Sequence, residues 1–157
     1  MQLSKRASLW PSREDCFFKD SKLNSKKLGE ISVFKLLATL TDAKQEFFKE
    51  RMNKYYPIDL FNAFMWLGFR VVPCLTYNPS LKFYIDELIK LNDLFVIIYF
   101  TNKSVGKGLI RNGRVTVLFR DRLYLADGSR SIQMKECPDK QLIGIYRIVP
   151  EHHCISF

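Results

Sequence analysis

Apolar residues recur at helical spacing through the first half of the chain and at strand spacing through the second. Val33, Leu36, Leu37 and Leu40 fall on one face of a helix within residues 31–40. Asp42 followed by Gln45 has the form of a capping box, which predicts a second helix over residues 43–54. Its Phe47, Phe48 and Met52 turn inward, while Lys44, Glu46, Lys49, Glu50, Arg51 and Lys54 form a solvated face of mixed charge. Pro57 suits the first turn of a third helix, mostly buried through Leu60, Phe61, Phe64, Met65 and Leu67, and Gly68 suits its exit. Phe69 to Leu75 reads as a strand, placed at an edge by Pro73. Asn78-Pro79 turns the chain, and Ser80 is placed to cap a fourth helix with Leu81, Tyr84, Ile85 and Leu88 on one face. Leu94 to Phe100 is apolar without a break, the pattern of a central strand covered on both faces.

The last third changes character. Asn112-Gly113 lies between two β-type runs, the strongest short-range hairpin signal a sequence offers. It predicts short strands over residues 108–111, 114–119 and 122–126, turning at 112–113 and 120–121 and ending at Asp127-Gly128. A further strand over residues 142–149 follows a loop containing Pro138. The order predicts an α+β protein in which N-terminal helices precede a mixed sheet that ends in an antiparallel meander. Residues 1–29 read as a basic, loosely ordered arm that docks through Leu9, Trp10, Phe17 and Phe18, and residues 30–157 as a single α+β domain.

Composition supports one packed domain. Of 157 residues, 47% are hydrophobic and 14% aromatic, which supplies a core and excludes extended disorder. The formal net charge is +9. Residues 1–56 and 103–157 each carry a net +5, whereas residues 57–102 carry −1. The middle of the chain therefore reads as core and its two ends as positive surface, a distribution that attracts polyanions. The apolar run at Leu94–Phe100 is too short to cross a bilayer, and Met1–Arg6 leads into no apolar leader segment. The expectation is a cytoplasmic protein with no membrane partner.

Few residues have the pattern that catalysis or metal binding needs. Cys16, Cys74, Cys137 and Cys154 are far apart and form no C-x-x-C pair, so no metal site is expected. Gly106-Lys107-Gly108 lacks the remainder of a phosphate-binding loop and leads into a strand, so its glycines read as turn residues and no nucleotide cofactor is implied. His152 and His153 sit together near the C-terminus beside Cys154, without the rigid frame a catalytic base uses. Asp121 and Asp127 fit turn positions. Cys16 is the candidate thiol, but Glu14 and Asp15 stand between it and Arg13, which opposes thiolate formation.

Lys103, Lys107, Arg111, Arg114, Arg120 and Arg122 face a single acid, Asp121, over residues 103–122. Residues two apart share a strand face, so Arg120 and Arg122 are expected to point together, away from Phe119. Cations along a ribbon suit phosphate contacts, although no RNP, zinc-finger or KH pattern is present. The six cations are the candidate binding residues, for nucleic acid or an acidic protein surface.

The chain order also resembles that of papain-like cysteine peptidases of the bacteriocin-processing type. These place a Cys early, pass through helices, and build a sheet in which Gly-His opens one strand and Asp ends the next. Cys16 stands early here, Gly106-Lys107 stands where Gly-His would, and Asp127 stands where the Asp would. The resemblance implies a papain-like fold with Cys16 in the nucleophile's place. Lys107 replaces the histidine base, and no Gln shortly precedes Cys16. What it implies is a cysteine-peptidase-like hydrolase if the protein is an enzyme. Otherwise it implies a degenerate member that acts through protein contact or inhibits a partner. The residues themselves favour a non-enzymatic basic binding protein that works through its C-terminal meander.

Overall fold

Ser32 accepts a hydrogen bond from the Lys35 amide through its hydroxyl and so starts α1 (Val33–Thr41). This is a computed structural model that describes residues 9–10, 16–18, 23, 28–52, 56–105, 108–125 and 130–151. Asp42 does not cap the second helix. It ends α1 in the left-handed region at φ 57°, which a short polar side chain tolerates, and Lys44 takes the N-cap position of α2 (Gln45–Arg51). α3 (Pro57–Trp66) opens on its proline and leaves through Gly68 at φ 87° into β1 (Phe69–Pro73). A 3₁₀ turn over Leu81–Tyr84 runs into α4 (Ile85–Leu91). Ser80 makes no side-chain cap there, because its hydroxyl donates instead to Asp139 at 2.8 Å. The chain then forms β2 (Leu94–Val105), β3 (Gly108–Phe119), β4 (Arg122–Leu125), β5 (Ile132–Gln133) and β6 (Leu142–Pro150).

The six strands make one sheet in the order β1-β6-β2-β3-β4-β5, and every pairing is antiparallel. The α+β order is the expected one, with helices first and a meander from β2 to β5, and no parallel pair makes the sheet mixed. β6 does not extend the meander. It crosses back between β1 and β2, because its alternating Ile145, Val149 and Ile148 are buried on opposite faces and need cover on both. On one face, Leu36, Leu37, Phe48, Leu60 and Phe64 from α1–α3 pack on Val96, Val117, Phe119 and Ile148. On the other, Leu81, Tyr84 and Leu88 with Leu9, Trp10 and Met134 pack on Phe95, Ile97, Leu118 and Val149. β2 is central, and both of its faces are apolar for that reason.

The hairpin turns elsewhere than Asn112-Gly113. β2 and β3 pair in one unbroken register from Leu94↔Phe119 to Val105↔Gly108, so the connection falls at residues 106–107, outside the described residues, and Asn112 and Gly113 lie inside β3 opposite Thr101 and Phe100. The reason is long-range. This register sets Val96 against Val117 and Ile98 against Val115 within the core, whereas a turn at 112–113 would fold β3 on itself and leave β2 without that partner. Gly113 is accordingly absent from the positive-φ residues.

One buried ion pair joins the layers. Asp93 and Arg147 are both 0% exposed, and Arg147 donates to Asp93 Oδ2 from Nε at 3.0 Å and from a terminal nitrogen at 2.7 Å. The same carboxylate accepts the amides of Phe17 at 3.0 Å and Phe18 at 3.2 Å, and the Asp93 carbonyl accepts the Arg120 amide at 3.0 Å. The guanidinium lies against the rings of Trp10, Phe17 and Phe95, 4.6–5.6 Å from their centroids.

Gly113→Ala leaves unfolding stability within about 0.5 kcal/mol of wild type, since only the mobile end of the exposed Ile143 must yield, while Gly68→Ala costs about 1 kcal/mol or more at its positive φ. Urea denaturation checks both, and a large loss at Gly113 would return the turn to that position. Asp93→Ala destabilises the protein by about 3–5 kcal/mol by leaving Arg147 and two amides buried without their acceptor. A double-mutant cycle with Arg147→Met should give a coupling of at least about 1 kcal/mol, and simple additivity would separate the two residues.

Candidate anion-binding groove

β2 and β3 outrun their neighbours. Pairing of β2 with β6 ends at Tyr99↔Leu142, and pairing of β3 with β4 ends at Thr116↔Leu125. Beyond these points Thr101–Val105 and Gly108–Asn112 pair only with each other among the described residues, as a two-stranded ribbon. At its foot, on the sheet face that also carries α4, lies a groove of about 320 Å³ lined by Tyr99, Thr101, Arg114, Leu125, Arg130, Ile132, Cys137, Pro138 and Lys140.

Three cations meet there from separate parts of the chain. Arg114 comes from β3, Arg130 from the segment before β5, and Lys140 from the loop before β6. Arg114 and Arg130 are exposed and Lys140 is half-buried. Lys140 Nζ lies 5.8 Å from the centroid of Tyr99, whose buried ring forms part of the floor. No carboxylate lines the groove among the described residues. Asp139 neighbours Lys140 in sequence, but its carboxylate accepts the Lys82 amide at 3.0 Å and the Ser80 hydroxyl, bonds that hold its pKa below the usual value of 3.8. A comparable notch between α1 and α2 mixes Lys35 and Lys44 with Glu46, and so has no single sign of charge.

The structure divides the six cations expected to act together. Arg111 stands opposite Asn102, and Lys103 opposite Ile110, in the ribbon. Lys107 lies outside the described residues. Arg120 and Arg122 stand at the other end of β3, roughly 35 Å from the ribbon's tip at about 3.3 Å per residue. They do not share a strand face. Arg120 occupies the turn at φ 58° with its guanidinium over Phe119 at 4.9 Å. Arg122 donates to the Ser131 hydroxyl and carbonyl, both at 3.2 Å, and packs against Gly29, where an added Cβ would lie 3.0 Å from its guanidinium carbon. Both are fastened into the fold, and Arg114 is the one of the six that enters the groove among the described side chains.

Arg130 and Lys140 were not legible as partners of Arg114, because each stands alone in a polar segment and Asp139 masks the second. Arg147 did leave a signal, as a charge within the apolar run of residues 142–149.

The Cys16 thiol donates toward the Asn92 carbonyl at 2.9 Å and lies 3.3 Å from Asp93 Oδ1. Burial, reinforced by the Asp93 charge, pushes its pKa up from 9.0 to about 12. A thiol in this setting supplies almost no thiolate near neutral pH. Cys74 is likewise pushed to about 12 by burial, and burial raises Cys137. Gly106-Lys107, Asp127, Asp127-Gly128, His152, His153 and Cys154 lie outside the described residues. Among the described residues no group of His, Cys, Asp and Glu could hold a metal ion, and no helix is long and apolar enough to cross a membrane. Comparison with family models, characterised proteins and solved structures finds nothing that matches the chain.

The thiols set an alkaline limit on the fold. Folding raises the pKa of Cys16 and Cys74 from 9.0, so the folded state holds their protons more tightly than the unfolded chain. Their contribution is complete below pH 9 and is lost as pH rises toward about 12. Thermal unfolding should therefore show a melting temperature that falls across this window, and a Cys16→Ser, Cys74→Ala variant should lose less of it. An equal fall in both proteins would assign the alkaline transition to other groups.

Proposed function

We propose that this protein is a non-enzymatic binding module that captures an anionic partner, a nucleic acid or an acidic protein surface, through the groove at the foot of the β2–β3 ribbon. The observation that carries this reading is the convergence of Arg114, Arg130 and Lys140 on one concavity with no carboxylate among its described lining residues. Grouped cations at a concave surface raise the local concentration of anions and favour their capture. Arg114 and Arg130 also present guanidinium forks suited to phosphate or carboxylate oxygens. The protonated, carboxylate-facing Cys16 supports binding over thiol catalysis.

Salt titration tests this reading. Binding to DNA or RNA should weaken linearly with log salt concentration, and alanine at Arg114, Arg130 or Lys140 should each reduce the slope by about 1 if it meets a phosphate. Arg122→Ala should leave the slope unchanged, because Arg122 is already bonded to Ser131. Absence of binding to nucleic acid and to polyglutamate at low salt would overturn the proposal.

A further inference from the structure

Resting on that reading, we infer that the partner is double-helical B-form DNA, with the β2–β3 ribbon entering its major groove while Arg114, Arg130 and Lys140 grip the adjacent backbone. The ribbon has the right form. It comprises the five pairs from Thr101↔Asn112 to Val105↔Gly108, with no third strand beside them among the described residues. Five residues reach roughly 16 Å at about 3.3 Å each, enough to enter a major groove about 8.5 Å deep and about 12 Å wide, which admits a two-stranded β-ribbon.

Its composition is also suitable. Residues 101–113 contain Lys103, Lys107 and Arg111, the polar Thr101, Asn102, Ser104 and Asn112, and no Asp or Glu. These are residue types that contact phosphates and base edges. The basic groove lies where the ribbon leaves the sheet, beside the position a duplex backbone would occupy once the ribbon is inserted.

The same geometry disfavours other nucleic acids. Single strands are held largely by stacking of bases on exposed aromatic rings. Among the described residues, the only aromatic one lining the groove is Tyr99, which is 4% exposed and has Lys140 over its ring. The exposed rings of Trp66, Tyr77 and Phe83 are not among its lining residues. An RNA duplex has a major groove too deep and narrow for a ribbon to enter.

Fluorescence anisotropy on the full chain tests the inference, using a DNA duplex of about two turns, its separated strands, the matching RNA duplex and polyglutamate at one ionic strength. Duplex DNA should bind at least tenfold more tightly than any of the others. Replacing residues 103–110 by Asn-Gly joins Asn102 to Arg111 in a tight hairpin and keeps the groove, so it should remove most of that preference while a weaker, salt-dependent binding to all polyanions persists. Where the shortened chain does not fold by circular dichroism, Lys103→Glu with Arg111→Glu serves the same purpose. Equal or tighter binding of single strands or RNA duplex would overturn the duplex inference and leave anion binding standing. Preference for polyglutamate would transfer the site to an acidic protein partner. Undiminished duplex binding by the folded variants would remove the ribbon from the interface, and no binding to any probe would overturn both readings.

Discussion

Asp93 is the residue on which the rest of the structure depends. It stands where α4 gives way to β2, wholly buried, and its carboxylate and carbonyl bind three separate parts of the chain. Arg147 brings in β6, the amides of Phe17 and Phe18 bring in the N-terminal segment, and the Arg120 amide brings in the β3–β4 turn. Taking a carboxylate and a guanidinium out of water costs several kcal/mol each, about the stability of a whole small domain, so the site persists only when its lone pairs are satisfied together. That requirement makes the pair a specifier. Apolar contacts alone would tolerate β6 sliding by two residues along β2, but a slide would carry Arg147 away from the only position where its charge is met. The Trp10, Phe17 and Phe95 rings around the guanidinium reinforce the same register.

Fixing β6 against β2 has a consequence at the opposite end of the sheet. β6 and β4 both stop short, and β2 and β3 continue alone as the ribbon. The protein thus holds its charge in two ways. Arg147 is wholly buried, while Arg120 and Arg122 are half-buried and held by the Phe119 ring and by Ser131. Arg114 and Arg130 remain at the surface beside the ribbon. A formal charge of +9 counts these residues alike, although the fold sets them in different surroundings.

What the sequence disclosed follows the range of the interactions involved. α1, α3 with Pro57 and Gly68, the edge position of β1 and the central position of β2 could be read because periodicity, proline and glycine act locally or through simple burial. Asn112-Gly113 misled for the same reason. The dipeptide's turn preference is local, whereas each cross-strand pair between β2 and β3 contributes roughly 0.2–1 kcal/mol and the register forms many of them. Asp42 and Ser80 likewise have the right chemistry for caps and were diverted, one to a left-handed helix exit and the other to Asp139 across the fold. The groove was the least legible feature. Arg114 belongs to a visible basic run, but Arg130 and Lys140 join it only because β5 and the loop before β6 return to the same sheet face.

The location of the two kinds of buried chemistry also bears on how the molecule can act. Cys16 is set beside an anion already committed to Arg147, so activating the thiol would mean dismantling the contact that organises the fold. Catalysis there would conflict with stability. The groove carries no such conflict. Its cations come from β3 and from the segments before β5 and β6, apart from the contacts that Asp93 makes. On the proposed reading, the fold supplies the positions of Arg114, Arg130 and Lys140, and the partner supplies the opposing charge.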